Sequence, residues 1–600
     1  MQLLKSYYIG VDVGTGSARA CVIDDTGEII SIASQDVGLW NPQQEYYEQS
    51  TTDIWRSICS SVRRAISEGN IDPERVRGIG FDATCSLAVF NTETNEPVSI
   101  SPGFNTDRNV ILWLDHRAVR ETDEIINATG HKVLQYTGGK MSPEMEIPKI
   151  LWLKRNMPAD VFAECKFYDL VDALTHIATG GGETRSLCSL VCKQAYLPKG
   201  VEGSTLGWQR DFLQEIGLGD LAARGFEHIG GVDGETGQHL HAGDLAGVLC
   251  EKAAKQLGLP AGIAIGSGVI DAYAGWIGTI GADVDLVGEE EVKEEEVNNS
   301  AAQAKDRQRS RVFTRLAAVA GTSTCHLAMS PGAVFVPGVW GPYRDTIFPG
   351  CWMAEGGQSA TGQLLKHVLE SHPAYKDAVS AADELKMNIF QFLNGHLHAM
   401  AQDKKASSIA YLACHFFFYG DLFGNRSPLA DSTMTGSTVG LTSDTSLDGL
   451  AIHYYGTLEF IALQTRHIVE TMNASGHTIR SIFMSGSQCQ NEILVNLIAS
   501  ACRMPVVIPH YVTAAVCHGA AILGARAAGL AAGGEDGGTR VDLWEVMKKM
   551  SKPGKVFYPT ERQNELALLA AKYQVFLDQA SKQRDYRALV DRAICEGSNS

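Results

Sequence analysis

Between Tyr7 and Asp36, three short runs rich in β-branched and aromatic residues are separated by glycine-bearing turns, the second at Asp25-Thr26-Gly27. This pattern predicts an antiparallel meander of strands. Beyond it, Ile54, Ile58, Val62 and Ile66 recur at helical spacing behind Thr51 and Thr52, so a helix capped by one of these threonines is expected. Ile79 to Ala83 reads as a buried strand, Asp115 to Ala128 and Ile147 to Asn156 read as helices, and the mixture continues to Thr279. Alternation of this kind predicts an α/β core. A second α/β stretch opens at Ala317 and runs to Gly529, and the helical periodicity of 561–589 suggests an appendage that packs back on it.

The pattern breaks between Asp283 and Arg311, where Glu289-Glu290-Glu291 and Glu294-Glu295-Glu296 give way to Asn, Ser, Gln and Lys. Such a run buries too little apolar surface to offset its ordering entropy, so it reads as a surface insertion, and 533–539 reads as a flexible loop. The expected division is a first domain over 1–282, the insertion over 283–311, a second domain over 312–560 and a helical tail over 561–600. A length of 600 residues with 44% hydrophobic content agrees with two large cores. The formal charge of -18 argues against nucleic acid or an anionic membrane as partner, because the general field repels phosphates; any phosphate needs a local site. Fourteen scattered cysteines without a CxxC pair fit free thiols in a reducing cytosol, and no secretion signal fits before Tyr7, so a cytoplasmic protein is expected. The apolar segments 261–280 and 513–530 are interrupted by Gly, Asp or His, and no membrane span is expected.

Four turns could carry chemistry. In Gly10-Val11-Asp12-Val13-Gly14-Thr15-Gly16-Ser17-Ala18-Arg19, the glycines let backbone N–H groups converge on a phosphate, Thr15 and Ser17 add hydroxyls, Arg19 adds charge, and Asp12 suits Mg²⁺. There is no GxxxxGK[ST], so this is not a Walker loop. In Gly266-Ser267-Gly268-Val269-Ile270-Asp271, the carboxylate stands at a strand-to-helix turn, where it reads as a helix cap or as a general base for a hydroxyl. Gly321-Thr322-Ser323 is a second hydroxylated turn that either binds phosphate or is an ordinary turn. Met484-Ser485-Gly486-Ser487, followed by a helix from Asn491, is a βα unit able to accept a nucleotide. Ala514 to Gly529, rich in Ala and Gly, reads as closely packed helix.

In this order the four elements resemble the FGGY carbohydrate kinases, together with Gly80-Phe81-Asp82-Ala83-Thr84-Cys85-Ser86, Trp113-Leu114-Asp115-His116-Arg117, Lys149-Ile150-Leu151-Trp152 and Gly424-Asn425-Arg426-Ser427-Pro428. The Ala-Thr-Cys-Ser and Gly-Asn-Arg-Ser-Pro blocks look most like the ribulokinase-type branch. The resemblance implies two actin-like (ribonuclease H-like) ATPase domains around a cleft, with ATP and Mg²⁺. It makes Asp271 the base, Asp12 and Asp271 the metal side, and Gly14, Thr15, Gly16, Ser17, Arg19, Gly321, Thr322 and Ser323 the phosphate side. Gly486, Ser487 and Asn491 match the adenosine motif, although Ser487 stands where many relatives carry a second glycine. Sugar contacts fall to Ala83, Thr84, Cys85, Ser86, Lys193 and Glu355, with Asp115 and Arg117 also candidates; Lys193 and Glu355 read equally as surface or structural charges. D-ribulose leads as substrate, with L-ribulose, ribitol and xylulose behind it. A sugar or nucleotide sensor on the same fold is the alternative, and a homodimer is open. A hydrolase is disfavoured without GxSxG, and His239 with His241, or His396 with His398, lack further zinc ligands at motif spacing.

Overall fold

The computed structural model describes residues 5–284, 286, 310–533 and 541–597. Apart from their ends, the acidic run and the 533–539 loop lie outside the described residues.

The meander is present as β1 (Tyr7–Val13), β2 (Ser17–Asp24) and β3 (Ile29–Asp36). Helix α1 (Thr51–Glu68) lays Ile54, Ile58, Val62 and Ile66 against β2 and β3. Its cap is Ser50 rather than a threonine, and no side chain at Ser50 bonds the first turn; the Asn109 Oδ1 atom takes that role by accepting from the Thr51 N–H at 2.9 Å. A distant residue thus replaces local capping. The chain then enters β4 (Val76–Ala83), parallel to β1. The helix expected over Asp115 to Ala128 begins later, at Val119, and continues as a wide turn, Glu121–Ile126, and a tight one, Asn127–Thr129; ahead of it the Asp115 carboxylate accepts from the Tyr47 and Arg117 N–H groups. After α2 (Leu187–Lys193), β5 (Ala264–Gly266) joins β4, and β6 (Val269–Ile270) extends beside it before α3 (Asp271–Ile280).

The second half repeats this plan. Strands β7 (Arg315–Ala320), β8 (Thr324–Ser330) and β9 (Trp352–Gln358) form an antiparallel trio, and β10 (Ser481–Ser485), followed by α4 (Glu492–Cys502) and β11 (Val506–Ile508), runs parallel to β7. The strand order β5–β4–β1–β2–β3 of the first sheet is matched by β11–β10–β7–β8–β9 in the second.

The halves exchange helices. Helix α3 leaves the first sheet to pack on β7, while α5 (Ala515–Ala532) lies across β1, β4 and β5 of the first and against α3. Gly10 and Gly80 make this crossing close: a β-carbon at Gly80 would lie 2.0 Å from the Ala520 carbonyl oxygen, and one at Gly10 would lie 1.9 Å from that of Cys517. By length and composition α5 is apolar enough to cross a bilayer, but most of it is buried within the fold; it is apolar on most sides because it is wedged between a sheet and a helix. The tail forms α6 (Gln563–Gly597), which buries Leu569, Tyr573, Phe576 and Ala580 against the second half.

Candidate functional site

The carboxyl ends of β1, β4 and β6 lie side by side, and each delivers an acid. Asp12 on β1 stands opposite Arg19 of β2 and opposite Asp82 of β4, and Asp271 opens α3 directly after β6. Open α/β sheets present ligand sites at this edge. The Arg19 Nη2 atom lies 2.5 Å from Asp12 Oδ2, and Arg19 Nη1 also donates to the Thr513 carbonyl at 3.4 Å, so Arg19 ties the acids to the start of α5. Asp82 is fully buried, and neither carboxyl oxygen receives a hydrogen bond among the described residues. Burial, then the neighbouring Asp12 and Asp271, push its pKa well above the usual carboxylate range.

Asp271 is not the N-cap of α3; Ile270 holds that place, and among the described residues Asp271 accepts only the adjacent Ala272 N–H at 2.7 Å. Its edge stays half-exposed while the surrounding protein, and then Asp12, raise its pKa to about 7. A carboxyl with that affinity for protons and an open face can accept one from an alcohol near neutral pH.

The turn from Gly14 to Ser17 is closed by the Gly14 N–H donating to the Ser17 carbonyl at 3.0 Å, and its back is held by Gln49 and Trp113, which donate to the Thr15 carbonyl and hydroxyl at 2.9 and 3.1 Å. Gly14 and Gly16 do not adopt positive φ, so the turn itself does not require them; a β-carbon at Gly16 would meet nothing within 4 Å. They leave the surface of the turn bare of side chains at these two positions. Gly321, Thr322 and Ser323 form the equivalent turn between β7 and β8, closed by the Gly321 N–H on the Ser323 carbonyl at 2.8 Å.

In the second half this turn borders a cavity of about 1050 Å³ lined by Gly321, Thr322, Ser487 and Asn491, with Phe390 and Leu494 among its apolar walls. Gly486 has a φ of 98°, and a β-carbon there would strike the Ala320 carbonyl at 2.1 Å, so glycine is required at that bend. Asn491 caps α4 and donates to the Tyr454 hydroxyl at 2.7 Å. Among these residues, Phe390 gave no local signal in the sequence, because an apolar residue on a helix reads as core.

Between the halves, Lys193 at the end of α2 meets Glu355 on β9, with Nζ 3.4 Å from both carboxylate oxygens. Both side chains are buried. Burial works against the lysine charge, yet Glu355 together with the nearby Cys85, Tyr343 and Cys192 outweighs it, and the Lys193 pKa rises well above the ordinary value. Two residues missed by sequence reasoning complete the group: Arg426 Nη2 donates to Glu355 Oε1 at 2.7 Å, and the Tyr273 hydroxyl donates to Oε2 at 3.3 Å. The Trp340 ring packs against both cations, its centroid 4.5 Å from the Lys193 ammonium and 4.1 Å from the Arg426 guanidinium. Arg426 sits within the Gly-Asn-Arg-Ser-Pro block, so a signal existed, but no residue role could be read from it.

Ala83 to Ser86 continue from the end of β4; Thr84 N–H donates to the Val13 carbonyl at 3.0 Å, and Cys85 retains partial exposure. Asp115 and Arg117 face each other inside the wall. The guanidinium bonds Asp115, Glu48 Oε1 at 3.0 Å and the Ile100 carbonyl at 2.9 Å, and neither side chain keeps exposed surface. No cluster of three metal-binding side chains occurs among the described residues, and His239 is taken up by the Tyr196 hydroxyl and the Gly230 carbonyl.

Comparison with known proteins agrees with this geometry. Residues 7–185 match the N-terminal domain, and residues 316–528 the C-terminal domain, of the FGGY family of carbohydrate kinases. A D-ribulokinase of Saccharomyces cerevisiae is 49% identical over 524 residues, covering 87% of this chain and 72% of its own. An FGGY carbohydrate kinase domain-containing protein of Homo sapiens is 41% identical over 98% of both chains. Among solved structures, a xylulose kinase from Rhodospirillum rubrum superposes with a TM-score of 0.69 at 17% identity, covering 97% of this chain and 99% of its own.

Proposed function

Because this chain belongs to the FGGY family of carbohydrate kinases, with two actin-like domains, we propose that it transfers the γ-phosphoryl group of ATP to a pentulose or related polyol, D-ribulose before L-ribulose, ribitol or xylulose. The product of the leading reaction is D-ribulose 5-phosphate. The observation that supports catalysis most directly is Asp271: a carboxyl with an open face, few hydrogen bonds and a raised proton affinity, set at the strand edge beside Asp12. The 49% identity to a protein named D-ribulokinase supports the sugar.

In this reading Asp271 takes the proton of the attacking hydroxyl, and Lys193 and Glu355 bond other hydroxyls of the sugar. A sugar lacking one of these hydroxyls forfeits a charge-assisted hydrogen bond in a buried site, which is how the pair would select among sugars. Backbone N–H and hydroxyl groups of the 14–17 and 321–323 turns bind phosphate oxygens from the two halves, and the cavity beside Ser487 and Asn491 takes the adenosine. Phosphoryl transfer depends mainly on alignment and charge stabilisation, which a two-sided clamp supplies. Mg²⁺ fits Asp12 and Asp271, which offer hard oxygen atoms next to the unpartnered Asp82 carboxyl, and bound there it would neutralise phosphate charge.

Asp271→Asn tests the assignment. ATP and D-ribulose should still bind by calorimetry, while ADP release falls by about 10²- to 10⁴-fold, the range for losing a general base. Undiminished turnover would refute it. The same assay across the four sugars ranks the substrate.

A further inference from the structure

The outer side of α1 carries a cavity of about 710 Å³ to which no residue of the phosphate turns, the sugar side or the nucleotide cavity contributes. Arg56, Arg63 and Arg64 of α1 border it, and Lys252 of the helix Glu251–Leu257 faces them; Glu96 is the one carboxylate in the lining. In a chain with 69 acidic and 51 basic residues this is a local reversal of charge. Two of the cations are uncommitted. Arg56 is paired with Asp53, and Arg64 reaches Glu68 at 3.4 Å, but Arg63 bonds only the Lys255 carbonyl, and Lys252 has no hydrogen bond or ion pair among the described residues. Both are exposed. Below them lie Trp55 and Phe90, buried aromatic side chains.

We propose that this cavity binds a small phosphate ester, its phosphate between Arg63 and Lys252 and its carbon body over Trp55 and Phe90. The volume lies within the range of small-molecule sites, and paired cations over an apolar base suit a ligand with one charged and one less polar end. Nucleoside monophosphates and sugar phosphates share this chemistry.

The test uses the full chain with AMP, ribose 5-phosphate and inorganic phosphate as separate probes, read by calorimetry and by hydrogen exchange along the sequence. One of the two esters should protect 51–64 and 252–256, and inorganic phosphate should bind more weakly. The double variant Arg63→Glu/Lys252→Glu, altered only at exposed positions, should bind that ester at least about tenfold more weakly, as expected for two lost charge-assisted contacts, while keeping its kinase turnover. Protection by AMP confined to 486–494, with ribose 5-phosphate leaving 51–64 and 252–256 unprotected, would overturn the proposal. So would an affinity unmoved by the charge reversal, inorganic phosphate binding as tightly as the esters, or no binding by either ester at millimolar concentration.

Discussion

As the proposed base, Asp271 would have to be ionised to accept a proton, and its pKa of about 7 sets where that happens. Below that value kcat/KM should rise about tenfold per pH unit and level off above it, as for a single essential base; a flat profile down to pH 5.5 would remove Asp271 from the role. The stability effect has the opposite sense. A carboxyl whose folded pKa exceeds its ordinary 3.8 holds a proton in the folded chain that the unfolded chain has released. Its contribution is present at low pH and is lost as pH rises through about 7. Arg426 works through Glu355, to which it donates a charged hydrogen bond of 2.7 Å. Arg426→Gln should therefore raise the sugar KM about tenfold or more, with kcat changed less, because hydrogen bonds to charged groups are worth roughly 1.5–3 kcal/mol. Equal losses in kcat and kcat/KM would instead put Arg426 in the transition state.

Among the elements, α5 shows what pattern conveys and what it does not. The Ala and Gly content of 514–529 correctly suggested close packing, but its partner, the first sheet some 500 residues earlier in the chain, has no mark in the local sequence. The matching marks are Gly10 and Gly80, which the backbone of α5 approaches to contact distance. Gly80→Ala should lower Tm and destabilise the fold by about 1–3 kcal/mol or more, the cost of overpacking a tight interface, since the atom it meets is a helix carbonyl that cannot swing away. An unchanged melting temperature would contradict the packing. Helix α1 gives the complementary lesson: its apolar stripe was readable, whereas its start depends on Asn109, which only the folded chain brings to Thr51.

At the scale of the whole molecule, the exchange of α3 and α5 makes each sheet incomplete without the other half. Calorimetry should show the two halves unfolding in one transition, and residues 1–282 expressed alone should fail to give a stable fold, because the face of β1 and β4 that α5 covers would be exposed. Two separate transitions would refute this coupling. The sequence alone determined the strand meander, the α/β alternation, the glycine-bearing turns and the carboxylates that follow strands, because periodicity and turn chemistry are local properties. The tertiary structure decided that Asp12, Asp82 and Asp271 share one edge, that Lys193 and Glu355 meet between the halves with Arg426 and Trp340, and that Asp115 and Arg117 face inward. Those outcomes depend on strand register and on helices packing across hundreds of residues, and no local pattern carries that information.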